Sequence, residues 1–230
     1  MGNYNDALMQ TLAQNGNGNA AYIDSLSEAR KVLVEEAGST LFTIAKDVKS
    51  QVEFNPQTIS AYRLIGYETR TLNREDFNNV KIDTGDIGAG HSVTAIHEIT
   101  PVNSANKLID ELRYQAAPQS NVTRTGEYAV LKLRYKLPDS DTSTLIKTPI
   151  TGALETGDTT NAPREAQFAT VVAAFGQLLR GGRYTGAYTY DDVVDLAQSS
   201  KGQDQFGYRA EFTSLVRLAK SAAGLPPLQR

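Results

Sequence analysis

The stretch AVLKLRYKL, residues 129–137, decides the fold class. Ala129, Leu131, Leu133, Tyr135 and Leu137 fall on one side of an extended chain, and Val130, Lys132, Arg134 and Lys136 on the other. That period of two is the mark of a strand with one buried face. Working back along the chain, Val48, Ser50, Val52 and Phe54 alternate with Lys49, Gln51 and Glu53 until Asn55-Pro56 breaks the run, giving a second half-buried strand. Residues 59–69, ISAYRLIGYET, are rich in β-branched and aromatic side chains, with Gly66 placed for a bulge. Ser92 to Thr100 follows the glycine turn Gly85 to Gly90 and ends at Pro101; Leu145 to Ile150 adds another strand, with shorter candidates at Leu41 to Ala45 and Leu112 to Gln115. Strands at this spacing, joined by turns instead of helices, predict an antiparallel β-sandwich over residues 39–150.

On either side of this region the period changes. Residues 151–162, TGALETGDTTNA, are small and turn-rich and read as a linker. Beyond them Phe168, Val171, Val172, Phe175, Leu178 and Leu179 recur at helical spacing, with Pro163 suited to the first turn and Gly181-Gly182 as the stop. A second helix opens at Thr189, and a third follows Asp204 with Tyr208, Phe212, Leu215, Val216 and Ala219 on one stripe. The region 163–230 is therefore read as C-terminal helices packed on the sandwich, the tail LPPLQR fraying at its end. At the other end, a helix over Asp6 to Gln14, capped by Asn3 or Asn5, is stopped by NGNGN; the apolar run AAYID, residues 20–24, reads as a short buried strand. Ser25 and Glu28 then have capping-box spacing for a second helix that stops at Gly38. Helix, strand and helix in residues 1–38 make an α/β remnant that cannot bury its own faces. The fold class expected for the whole is α+β.

Several stretches carry a resemblance. Residues 2–56 (GNYNDALMQ through VKSQVEFNP), AYRLIGYETR at 61–70, GDIGAGHSVTAIHEI at 85–99, VAAFGQLLR at 172–180 and YDDVVDLAQ at 190–198 are similar to the C-terminal part of bacterial von Willebrand factor type A proteins. The resemblance covers nearly the whole chain. It implies that residues 1–38 are the last helix, strand and helix of a type A domain, followed by a C-terminal domain of unknown function. It also implies a fragment of an envelope or periplasmic protein whose export signal is absent from this stretch. The family's metal-dependent adhesion motif, Asp-x-Ser-x-Ser, has its nearest match at Asp139 to Ser143, where Asp141 occupies the first serine position. The family's cation is accordingly not carried over, and no metal or cofactor is expected.

Composition narrows the chemistry further. Twenty-three basic and 26 acidic residues give a net charge of −3, which argues against a nucleic-acid partner. No run approaches the roughly 18 apolar residues of a membrane span, and MGNYNDALMQ lacks a signal peptide's basic start and apolar stretch. With no cysteine and only His91 and His97, thiolate metal sites and a cysteine nucleophile are excluded. Six residues apart on one strand, the two histidines would lie about 20 Å from each other and could not share a metal. The turn Gly85 to Gly90 lacks the lysine and following helix of a phosphate-binding loop, so it reads as structural. Glu75, Asp76, Asp83 and Asp86 read as solvated loop carboxylates, calcium being the best of the minor alternatives. Asn121-Val122-Thr123 fits the glycosylation sequon but is read as unused. Tyr184, Tyr188 and Tyr190 cluster between two helices and are the candidate partner-binding residues, tyrosine offering large apolar area with one polar tip; packing within the protein is the competing role. The function expected is a non-enzymatic protein-interaction or structural module with a protein partner. A carbohydrate- or polymer-binding sandwich is the alternative, followed by a hydrolase using loop carboxylates. The N-terminal remnant leaves room for a homodimer or domain exchange.

Overall fold

The computed structural model describes every residue except 1–4, 17, 19, 37–41, 67–76, 79–84, 106–125 and 226–230. Among the expectations above, the strand at Leu112 to Gln115, the stop at Gly38, the carboxylates Glu75, Asp76 and Asp83, the sequon and most of the tail lie outside the described residues. Contacts divide the chain into two compact units, Met1–Val93 with His97–Leu154, and Thr94–Ile96 with Glu155–Arg230.

The first unit is built on two antiparallel sheets, and with the helices they make the chain α+β. The larger sheet has the order β3-β1-β5-β6, from β1 (Thr43–Phe54), β3 (Ile87–Gly88), β5 (Glu127–Lys136) and β6 (Ser143–Thr151). Its centre is the alternating stretch, paired antiparallel with Val52 opposite Leu131 on one side and Ile146 opposite Leu133 on the other. A second, two-stranded sheet joins β2 (Ile59–Ile65) and β4 (Ile96–Pro101). Ser60 Oγ donates to the Thr100 carbonyl at 2.9 Å and Arg63 pairs with Glu98. Phe54, at the end of β1, stacks on Tyr62 at 4.2 Å between ring centroids and meets the His97 ring edge-on at 5.4 Å. These rings tie the two sheets together beside the β1–β2 turn.

Two strand expectations are corrected. The segments anticipated around Leu41 to Ala45 and from Val48 belong to one strand, because Asp47 takes φ +50° and lets a bulge between Lys46 and Lys49 absorb the break. Aspartate is among the few residues that adopt this left-handed conformation at modest cost. The bulge is pinned by Lys136 Nζ on Asp47 Oδ2 at 2.5 Å, by the Asp47 N–H donating to Asp86 Oδ1, and by Val48 N–H donating to the Gly85 carbonyl at 3.1 Å. The glycine turn is thus a brace for the bulge. The alternation also misplaces Lys49: its side of β1 was read as solvent-facing, yet Lys49 is only 2% exposed. Phe77, itself buried, lies over that side of the sheet with the Arg134 guanidinium 5.6 Å from its ring centre.

The N-terminal segment of the same unit has α1 (Asp6–Asn15), α2 (Leu26–Arg30) and a π-helical turn Lys31–Glu35. Asn5 Oδ1 caps α1 by accepting from Leu8 N–H, and Ser25 Oγ caps α2 by accepting from Glu28 N–H, both at 3.1 Å. Residues 20–24 are not a strand: they take no regular secondary structure, and Tyr22 and Ile23 are exposed. Leu8, Leu12, Leu26, Leu33 and Val34 also stand in solvent, Leu26 at 88%.

A 3-10 turn at Gly152–Leu154 closes the first unit; the second has a 3-10 turn at Thr159–Asn161, then α3 (Arg164–Leu179), α4 (Tyr190–Ser199) and α5 (Tyr208–Ala223). Gly181 and Gly182, at φ +93° and +66°, close α3 as the sequence predicted; the Gly182 N–H donates to the Gln177 carbonyl at 2.9 Å. These helices cover one another. Val171, Val193, Ala197 and Val216 form the buried centre, surrounded by Phe168, Phe175, Leu178, Tyr188, Tyr190 and Phe212. Phe212 meets Phe168 and Phe175 edge-to-face at 5.5 and 5.4 Å, pairs worth about 0.5–1.5 kcal/mol each beyond their buried area. Val172, Leu179 and Leu215, expected on the core-facing stripes, are exposed instead.

Candidate interaction surface

The α3–α4 connection carries the three tyrosines singled out by sequence, and its local chemistry separates them. Thr189 is the N-cap of α4 with a complete capping box: its hydroxyl accepts from Asp192 N–H at 3.3 Å, while Asp192 Oδ2 accepts from Thr189 N–H at 2.7 Å. The Thr189 hydroxyl also donates to Asp192 Oδ2 at 2.6 Å, and this bond first, with the Thr189 backbone N–H second, holds the Asp192 carboxyl below the usual carboxylate range. The fixed start of α4 directs Tyr190 inward, where its ring meets Phe175 at 6.2 Å. Tyr188 is half-buried against the same core and its hydroxyl donates to the Asp192 carbonyl at 3.3 Å. Burial, with the Asp192 charge second, pushes its phenol above the ordinary value.

Tyr184 is placed differently. It is 39% exposed, with the Arg183 guanidinium 5.2 Å from its ring centre, a cation–π arrangement that holds the ring in place at the surface. Of the three, Tyr188 and Tyr190 pack the helical core and Tyr184 presents aromatic area outward.

The other sequence candidates among the described residues belong to the first unit. His91 follows the glycine turn, its N–H donating to the Gly88 carbonyl, whereas His97 lies in β4 against Phe54, and burial holds its imidazole below the usual 6.5. Asp139 to Ser143 form the β5–β6 turn, in which Ser140 N–H donates to the Leu137 carbonyl and Ser143 Oγ accepts from Arg134. Among the described residues, no group of three or more histidines and carboxylates is arranged to hold a metal ion, and no helix is long and apolar enough to cross a membrane. Sequence reasoning missed the Arg134–Phe77 contact and the Asp47 bulge, since neither follows from a local pattern. A lysine-rich strand face opposite an isolated phenylalanine was the only available sign.

Comparison with known proteins gives two matches. The family described as "Uncharacterized protein YfbK, C-terminal" matches residues 39–222. A curated relative, the "Uncharacterized protein YfbK" of Escherichia coli (strain K12), is 47% identical over 221 residues, which cover 94% of this chain and 37% of the relative. This chain therefore spans little more than a third of the relative's length. No solved structure matches.

Proposed function

Since this chain belongs to the family of YfbK C-terminal domains, we propose that it is a non-enzymatic protein-interaction module attached to a von Willebrand type A domain in the bacterial envelope. The observation that carries this reading is the amount of ordered apolar surface left in solvent. On the N-terminal segment Leu8, Leu12, Leu26, Leu33 and Val34 are all exposed, as the closing elements of an α/β domain would be without the sheet they cover. The resemblance of residues 1–38 to the end of a type A domain supplies that sheet. In the longer polypeptide these residues complete the upstream domain, and the sheets and helices that follow carry recognition.

Tyr184, anchored by Arg183, is the residue assigned to the partner surface, because exposed aromatic and arginine pairs are the usual energetic centres of interfaces. The test is capture from an envelope extract on the immobilised chain, read by mass spectrometry. Wild-type chain retains a specific protein, and Tyr184→Ala loses it while its melting temperature stays within a degree or two. Equal retention by both would remove Tyr184 from the interface, and retention of nothing by either would remove the interaction reading.

A further inference from the structure

One face of the larger sheet gathers positive charge around a buried arginine. In β5 the side chains of Lys132, Arg134 and Lys136 leave the sheet on the same side. The register places Lys49 of β1 opposite Arg134, and Lys147 of β6 opposite Lys132. Among the described residues, the carboxylates paired to these cations are Glu53, on Lys132, and Asp47, on Lys136. Both serve the lysines that flank Arg134. Like charges directly opposite on neighbouring strands repel, and the burial of Lys49 leaves little water beside Arg134 to screen that repulsion.

Arg134 itself is held by neutral groups. Its Nη1 donates to Ser143 Oγ at 3.2 Å and its Nη2 to Asn78 Oδ1 at 3.3 Å, while the Phe77 ring centre lies 5.6 Å from the guanidinium carbon. The Nε–H is buried with no hydrogen-bond acceptor. A guanidinium cannot shed its proton to escape that position, and a buried donor left without a partner in a native fold marks a place for an ion or a water molecule. The Nε and Nη2 hydrogens leave the group side by side, which is the edge at which arginine takes two oxygens of a carboxylate or phosphate. Asn78 is exposed and its bond to Nη2 is long, so an anion at this edge can share or replace that contact.

The geometry points to an oxyanion site on this face of the sheet, with Arg134 Nε–H and Nη2–H as the donors and Lys49, on the neighbouring strand, as the second positive charge. The ligand class is a small anion presenting two oxygens in one plane. Two cations favour a doubly charged ion over a singly charged one, so inorganic phosphate is the probe and acetate the comparison. A bound anion offsets the Lys49–Arg134 repulsion and thereby couples the β1–β5 pairing to anion concentration. The inference uses nothing from the partner reading of Tyr184 and is tested separately from it.

The test is isothermal titration calorimetry of the whole chain with sodium phosphate and with sodium acetate, at neutral pH in a zwitterionic buffer. Wild type binds one phosphate per chain with a Kd below about 1 mM, and acetate more weakly. Arg134→Lys keeps the charge but lacks the two-donor edge; it retains the circular dichroism of wild type and weakens phosphate binding at least about tenfold. Lys147→Gln, at an exposed position on the same face, changes the affinity less than about twofold. Phosphate also raises the melting temperature of wild type and leaves that of Arg134→Lys unmoved. Acetate binding more tightly than phosphate would keep the site and assign it to a carboxylate-bearing ligand. Binding of neither anion by wild type would overturn the proposal. So would phosphate binding that survives Arg134→Lys, and its loss in Lys147→Gln would then place it on the surface lysines.

Discussion

Among the described residues, His97 is one that couples the fold to mild acid. Its imidazole packs on Phe54 and burial holds its pKa below 6.5, so the unfolded chain takes up the proton first as the pH falls. Its contribution to stability is complete above about pH 6.5 and is lost as the pH drops through and below that value. A second, lower window belongs to Glu165 and Asp192, whose carboxyls are held low by hydrogen bonds, from the Arg209 side chain in one case and from Thr189 in the other. Their contributions are present above about pH 4 and disappear on further acidification. Urea midpoints measured from pH 8 to pH 3 show two declines, and His97→Phe removes the upper one alone. An unchanged upper decline in that variant would assign it to another group. At this scale the sequence was an uneven guide. The caps at Asn5, Ser25 and Thr189 could be read because each bond spans three residues, whereas Lys49 is buried on a strand face whose neighbour Arg134 lies far along the chain.

Elements were legible where their signals were local. Helix α4 begins where the Thr189–Asp192 box places it, and α3 ends at Gly181-Gly182. Thr189→Ala therefore destabilises the chain by about 1 kcal/mol, the usual cost of losing a side-chain N-cap, measured by urea denaturation; Thr189→Ser, which keeps the hydroxyl in a residue that caps at least as well, leaves the stability unchanged. Equal losses in both would mean that the threonine methyl, and not the cap, contributes the stability. The errors at this scale have common physical causes. The run AAYID has strand composition yet takes no regular secondary structure, since strand propensity alone does not make a strand. The break between Ala45 and Val48 looked like a strand end because a left-handed aspartate leaves no periodic trace. Val172, Leu179 and Leu215 were assigned to the core because their stripes are wider than three mutually packed helices can cover.

The described residues comprise two antiparallel sheets, a three-helix unit with its own core, and an N-terminal helical segment on which Leu8, Leu12, Leu26, Leu33 and Val34 face solvent. The α+β class with antiparallel sheets was legible from the alternation around residues 129–137, and membership of the YfbK C-terminal family agrees with a C-terminal domain of unknown function. The sandwich expectation resolves into a four-stranded and a two-stranded sheet linked by the Phe54 rings. The exposed segment connects this architecture to the proposed function, because an interaction module joined to a type A domain needs residues 6–35 to belong to that upstream domain. Amide hydrogen exchange over these residues tests the claim most directly, comparing the chain alone with the corresponding segment of a full-length relative. The account predicts rapid exchange in the chain alone and protection increased by at least about 100-fold at full length, as expected of helices docked on a sheet. Equal exchange in the two would contradict it, and would leave the N-terminal segment without an upstream domain to complete.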